Sequence, residues 1–199
     1  LLHGHGTFVA GVVAGSGAAS SGRHAGVAPG ARILGLSAGD LTLLNVLAAF
    51  DYLLDRGHES NVRVVNCSFS AATVFDVNDP VNVATRLLVE RGVTVVVSAG
   101  NTGPGWNTMN PYAVAPWVLG VGATDGARRL ADYSSRGEFR SALFRPKLVA
   151  PGTHVTGLRT ASAPSLTGVL GVETDTRRFT AAELPYYTTS SGTSFSAPQ

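Results

Sequence analysis

Ser194, His5 and Asn101 are the residues of this chain whose type and setting could do chemistry. Ser194 lies in Ser191-Gly192-Thr193-Ser194-Phe195-Ser196-Ala197-Pro198, where small neighbours and the Pro four residues later predict a hydroxyl presented at the start of a helix. There, free backbone N–H groups and the positive end of the helix dipole would stabilise developing negative charge. A hydroxyl is a weak nucleophile without an adjacent base, and a serine read alone is more often a helix N-cap. His5, in Gly4-His5-Gly6-Thr7-Phe8-Val9-Ala10-Gly11, is the one histidine of five in a comparably specific setting. An imidazole titrates near neutrality, which suits a general base; read alone, His5 would be structural. Asn101 ends the run VVVSAGN and is followed by Thr102-Gly103-Pro104-Gly105. A carboxamide at the C-terminal edge of a buried strand faces the crevice where α/β sheets bind ligands, and its N–H could serve an oxyanion. Read alone, it would equally be a turn former.

The elements needed to hold these residues are legible as alternating apolar runs and amphipathic stretches. Small apolar residues from His5 to Gly15 suit a buried helix. Ser16 to His24 reads as a loop and Ala31 to Ser37 as a strand. Leu41 to Arg56 has helical spacing, with Leu43, Leu44, Leu47, Phe50, Leu53 and Leu54 on one face. Val62 to Phe69 reads as a strand, Val81 to Arg91 as a helix, and Val93 to Ala99 as a strand covered on both faces. Strands over Trp117 to Thr124 and Lys147 to Ala150 follow. The order predicts an α/β fold: a three-layer, open, mostly parallel sheet with helices on both faces and right-handed crossovers. Ala161 to Tyr187 keeps no period and reads as a surface excursion.

At 199 residues the chain suits one domain with a full core. A net charge of +2 with scattered basic residues gives no electrostatic case for nucleic acid or an anionic membrane as partner. No apolar run approaches the ~18 residues of a membrane span. The single cysteine, Cys67, excludes an internal disulfide and reads as a core hydrophobe rather than a reactive thiol. His3 and His5 lack a third ligand at useful spacing, so no metal site is expected. His24, His58 and His154 read as surface or loop histidines. A nucleotide-binding α/β reading fails, because there is no G-K-[ST] and Gly4-His5-Gly6 lacks the third glycine of the dinucleotide fingerprint.

Taken together, the motifs resemble the subtilases, the subtilisin-like serine peptidases. H-G-T-F-V-A-G spans His5 to Gly11, S-A-G-N spans Ser98 to Asn101, and G-T-S-F-S-A-P spans Gly192 to Pro198. GVAPGARI from Gly26, VVNCSFS from Val64 and VAPG from Val149 fall between them, in order and at similar spacing. The resemblance implies a subtilisin-like fold and a serine endopeptidase working through an acyl-enzyme. In it His5 is the general base, Ser194 the nucleophile, and Asn101 the side-chain oxyanion donor beside the Ser194 N–H. Ser68, Phe69 and Ser70 would offer an edge to an extended peptide or protein substrate, and Ser98, Ala99 and Gly100 would line the opposite wall. These segments are uncharged, which favours an apolar residue before the cut.

The departures from the family carry their own expectations. No Asp-Ser-Gly or Asp-Thr-Gly occurs, so the carboxylate that completes the triad is expected upstream of Leu1 and the helix after Ser194 is expected to run beyond Gln199. Residues 1–199 then form a partial catalytic domain, inactive as an isolated polypeptide. Ser70 stands where the family usually has Gly, and the stretch from Thr160 to Tyr187 is longer than in compact members. Asn110-Pro111 falls where the family often has a cis proline. The chemistry requires no cofactor. Structural calcium is known in the family, but Ser16 to His24 lacks the Asn typical of its calcium loop. The resemblance also implies an upstream propeptide and a secreted or cell-envelope location. The competing reading is a catalytically inactive subtilase-like domain that binds peptides in the same groove.

Overall fold

The computed structural model describes residues 4–141, 144–160 and 174–199. At its centre lie four parallel strands in chain order: β1 (Val64–Cys67), β2 (Thr94–Ser98), β3 (Leu119–Thr124) and β4 (Leu148–Pro151). Helices α1 (His5–Ala14) and α2 (Leu43–Arg56) precede the sheet. α3 (Pro80–Glu90) connects β1 to β2, and α4 (Pro111–Val114) connects β2 to β3. β5 (Val155–Leu158), α5 (174–178), β6 (Tyr187–Ser190) and α6 (Thr193–Ser196) follow. This is the α/β architecture expected; β1 is four residues shorter than its expected run, β2 and β3 are each two shorter, and β4 has the expected length shifted by one residue.

Local chemistry sets the helix limits. The Asp79 carboxylate accepts from the Val81 N–H at 2.9 Å, and Pro80 occupies the first turn of α3, where its missing N–H costs nothing. Gly92 ends the turn beyond α3 at φ +82°. Val81, Ala84 and Leu88 form its buried stripe. They meet Val46, Phe50 and Leu53 of α2, Val95 and Val97 of β2, and Cys67, Tyr112 and Val118 in the main core. The Cys67 thiol is pushed up to about 12 by burial. The expected apolar face of α2 needs correction: Leu43 and Leu44 are exposed and Val46 is buried. Leu44 lies about 200° round the helix from Val46, so both cannot face α3.

A second, smaller core joins Phe8 and Val12 of α1 to Phe195 of α6. α1 can approach β5 because Gly11 has no side chain: a Cβ there would lie 2.5 Å from Leu158 Cγ.

Three further expectations are corrected. Ala31 to Ser37 forms no strand; it runs without a partner among the described residues, leaving Ile33 and Leu34 exposed. An apolar run becomes a strand only when a neighbour takes its backbone hydrogen bonds, and β1 is an edge of the sheet, its Val64 60% exposed. The cis peptide lies at Gly103-Pro104, not at Asn110-Pro111. The stretch after Thr160 is more than a surface excursion, although residues 161–173 lie outside the described residues. β6 pairs antiparallel with β5, and the fully buried Asp175 carboxylate receives Arg159 Nη2 at 2.6 Å, the Thr188 hydroxyl at 2.7 Å and the Thr189 N–H at 2.8 Å. Period-based reading misses such a segment because polar satisfaction rather than an apolar stripe holds it in place. His24 lies in a turn, as a loop histidine should, and its ring packs edge-on against Phe179 and Tyr187.

Glu183 ties this segment to the loop at Arg23. Its carboxylate accepts from the Thr180 N–H at 3.0 Å and the Thr180 hydroxyl at 2.8 Å, and pairs with Arg23. Those bonds hold its pKa down at about 2, against an ordinary 4.5. A depressed carboxyl pKa stabilises the fold fully above pH 4.5, and that contribution is lost as pH falls toward 2. The thermal midpoint is therefore expected to fall over this window, and Glu183→Gln should flatten that part of the profile. Superimposable acid profiles for the two proteins would contradict the clamp.

Candidate active site

The candidate residues gather at the carboxyl ends of β1 and β2, the edge where open α/β sheets bind ligands. Ser68 follows directly on β1, and Ala99, Gly100 and Asn101 follow on β2. Ser194 is the second residue of α6, a single turn that touches β2, β3 and β4. Its N–H lies in the first turn, where no helical carbonyl is available to it. His5 opens α1. The Phe195 ring binds the two elements together, 4.3 Å from the Phe8 ring and 5.5 Å from the His5 ring.

No hydrogen bond joins His5 to Ser194. The Ser194 hydroxyl instead donates to the Ser68 carbonyl, at a long 3.4 Å. The Ser68 hydroxyl accepts from Asn66 Nδ2 at 2.9 Å and donates to the Ser194 carbonyl at 2.7 Å, fixing the Ser194 turn to the end of β1. Burial lowers the His5 pKa from its ordinary 6.5, so the ring is neutral and able to take a proton at neutral pH. No carboxylate pairs with His5 among the described residues.

Asn101 is oriented by a neighbour that the motif reading passed over. Its Oδ1 accepts from both the Thr193 N–H and the Thr193 hydroxyl, each at 2.9 Å. Two donors on one oxygen fix which end of the carboxamide is which, and they leave Nδ2 free beside α6. The Thr193 hydroxyl also accepts from the Gly100 N–H at 3.1 Å. Gly100 sits at φ +106°, and a Cβ there would lie 2.6 Å from Ser135 Oγ, so only glycine fits. A signal for Thr193 was present: a hydroxyl directly before a candidate nucleophile.

The two expected walls differ in what they offer. The backbone groups of Ala99 and Gly100 are all engaged, with Val121, Asn110, Thr193 and Ser135. That wall can give contact but no pairing. The Ser68 and Phe69 carbonyls accept from Ser194 and Asn110, but no intrachain hydrogen bond engages the backbone of exposed Ser70, which is the part of that edge open to an extended chain.

Among the described residues no three His, Cys, Asp or Glu side chains converge to hold a metal. His3 lies outside them. No described helix is long and apolar enough to cross a membrane.

The subtilase family profile matches residues 2–199. Serine protease AprX of Bacillus subtilis (strain 168) is 29% identical over 81% of this chain and 40% of its own length. Tripeptidyl-peptidase 2 of Caenorhabditis elegans is 33% identical over 77% of this chain, and the thermophilic serine proteinase of Bacillus sp. (strain AK1) is 33% identical over 81%. The chain spans 12% and 37% of those two relatives. Among solved structures, the S41 psychrophilic protease superposes at a TM-score of 0.72 with 25% identity, over 98% of this chain and 59% of its own. Sphericase superposes at 0.74 with 24% identity, over 98% and 60%. The fold is subtilisin-like, and the chain belongs to the subtilase family.

Proposed function

We propose that this chain carries the catalytic site of a serine endopeptidase that cleaves extended peptides through an acyl-enzyme. One observation supports the reading above the others: Thr193 anchors Asn101 Oδ1 and so frees Nδ2 as a donor beside Ser194. A helix N-cap or a turn former has no use for that arrangement.

The steps follow from the groups present. Ser194 Oγ attacks the scissile carbonyl carbon, and its proton passes to His5. The carbonyl oxygen takes up negative charge and is held by Asn101 Nδ2 and the Ser194 N–H. The C–N bond breaks as His5 returns the proton to the leaving amine. Water, activated by the same imidazole, then releases the acyl group. For attack, the Ser194 hydroxyl turns from the Ser68 carbonyl to His5; such hydrogen bonds commonly tighten only when substrate arrives.

His5 has no carboxylate partner among the described residues. Residues 1–199 are read as part of one catalytic domain acting on peptide or protein substrates, with the secreted or cell-envelope location that the family resemblance implies. The testing experiment is Ser194→Ala in the full-length gene product. Loss of hydrolysis supports the reading, and retained hydrolysis overturns it.

A further inference from the structure

The backbone pairing of β1 with β2 ends at Cys67 and Val97. Beyond it the two segments that would flank a substrate, Ser68 to Ser70 and Ser98 to Gly100, separate. Asn110 spans the gap. It is 2% exposed, and its Nδ2 donates to the Phe69 carbonyl on one side and the Ser98 carbonyl on the other, each at 2.8 Å. Its own N–H donates to the Ala99 carbonyl at 2.7 Å. Its Oδ1 accepts from the Tyr112 N–H at 3.1 Å, capping α4.

Capping explains only the oxygen. Asp or Ser would cap that turn as well as Asn. Of these, the carboxamide alone adds two donors on one nitrogen, and both are spent joining the two walls. We propose that Asn110 is a positioning residue that sets the separation of the two walls and the floor of the cleft between them. It thereby sets the size of substrate side chain accepted before the cut. The inference rests on the peptidase reading above. With both its N–H groups engaged, the floor offers no donor to a substrate, so selection there is by size.

Removing the carboxamide deepens and loosens the cleft. The test compares kcat/KM for two peptides that differ only before the cut, one with Ala and one with Phe. In Asn110→Ala the Phe-to-Ala ratio is expected to rise about tenfold, the scale of one or two carbon atoms in a fitted pocket. Asn110→Ser, which keeps the α4 cap and also shortens the floor, is expected to shift the ratio the same way. A ratio does not depend on how much of the protein is folded, so a purely structural role leaves it unmoved. A ratio within twofold of the parent in either active variant overturns the proposal. Failure of both variants to fold assigns the contacts to stability alone and also overturns it. If the parent protein shows no Ser194-dependent hydrolysis, the underlying reading falls. If that hydrolysis is present and the ratio stays fixed, this proposal alone falls.

Discussion

Replacing Ser194 with alanine is expected to lower kcat by about 10⁶-fold, the scale measured in subtilisin itself rather than inferred from this chain. Replacing His5 with alanine is expected to cost about the same, and the double variant little more. Without a base the hydroxyl stays protonated, and without the hydroxyl the base has nothing to activate. Either loss leaves only the oxyanion donors and the groove, worth about 10³ to 10⁴ over water. Phe195 packs beside His5 and anchors the Ser194 turn to α1, so Ser194 and His5 are held as one unit. Steady-state kinetics on one peptide, with a double-mutant cycle, checks this. If the two losses multiplied, the residues would act independently and the acyl-enzyme account would fail.

Asn101→Ala is expected to lower kcat by about 10² to 10³ and to leave KM nearly unchanged; this range was also measured on the corresponding asparagine of subtilisin. The carbonyl oxygen is only weakly polar in the bound substrate and fully charged in the tetrahedral intermediate. A donor placed for the second state stabilises the transition state far more than the ground state. Thr193→Val should give a smaller loss in the same parameter, about tenfold, since the Thr193 N–H still holds Oδ1 when the hydroxyl is gone. A rise in KM at constant kcat for Asn101→Ala would place the side chain in substrate binding instead.

Much of the framework was readable from the sequence because it follows period and punctuation. Val81 to Arg91 was legible as a helix, and Val93 to Ala99 as a strand covered on both faces. The candidate site was readable as three short motifs, each of which joins a chemical side chain to the small residues its turn needs. What escaped was polar and long-range. Thr193 and Asn110 act through bonds to residues far away in the chain: the place of Thr193 beside Ser194 hints at a role but not at its partner Asn101, and no local pattern marks Asn110. Asp175 is held by Arg159, Thr188 and Thr189, so the segment around it looked formless until those partners were known. Ala31 to Ser37 failed for the opposite reason: its residues suit a strand, but strand formation depends on a neighbour.

The central claim is that Ser194 is the nucleophile activated by His5. It is tested most directly by treating the full-length gene product with a fluorophosphonate and mapping the adduct by mass spectrometry. Attack by Ser194 Oγ on phosphorus expels fluoride and leaves a stable ester. The account predicts one adduct, on the peptide containing Ser194, lost in Ser194→Ala and strongly slowed in His5→Ala. Peptide hydrolysis that continues at full rate with Ser194 unlabelled, or with the adduct on another serine, would contradict it.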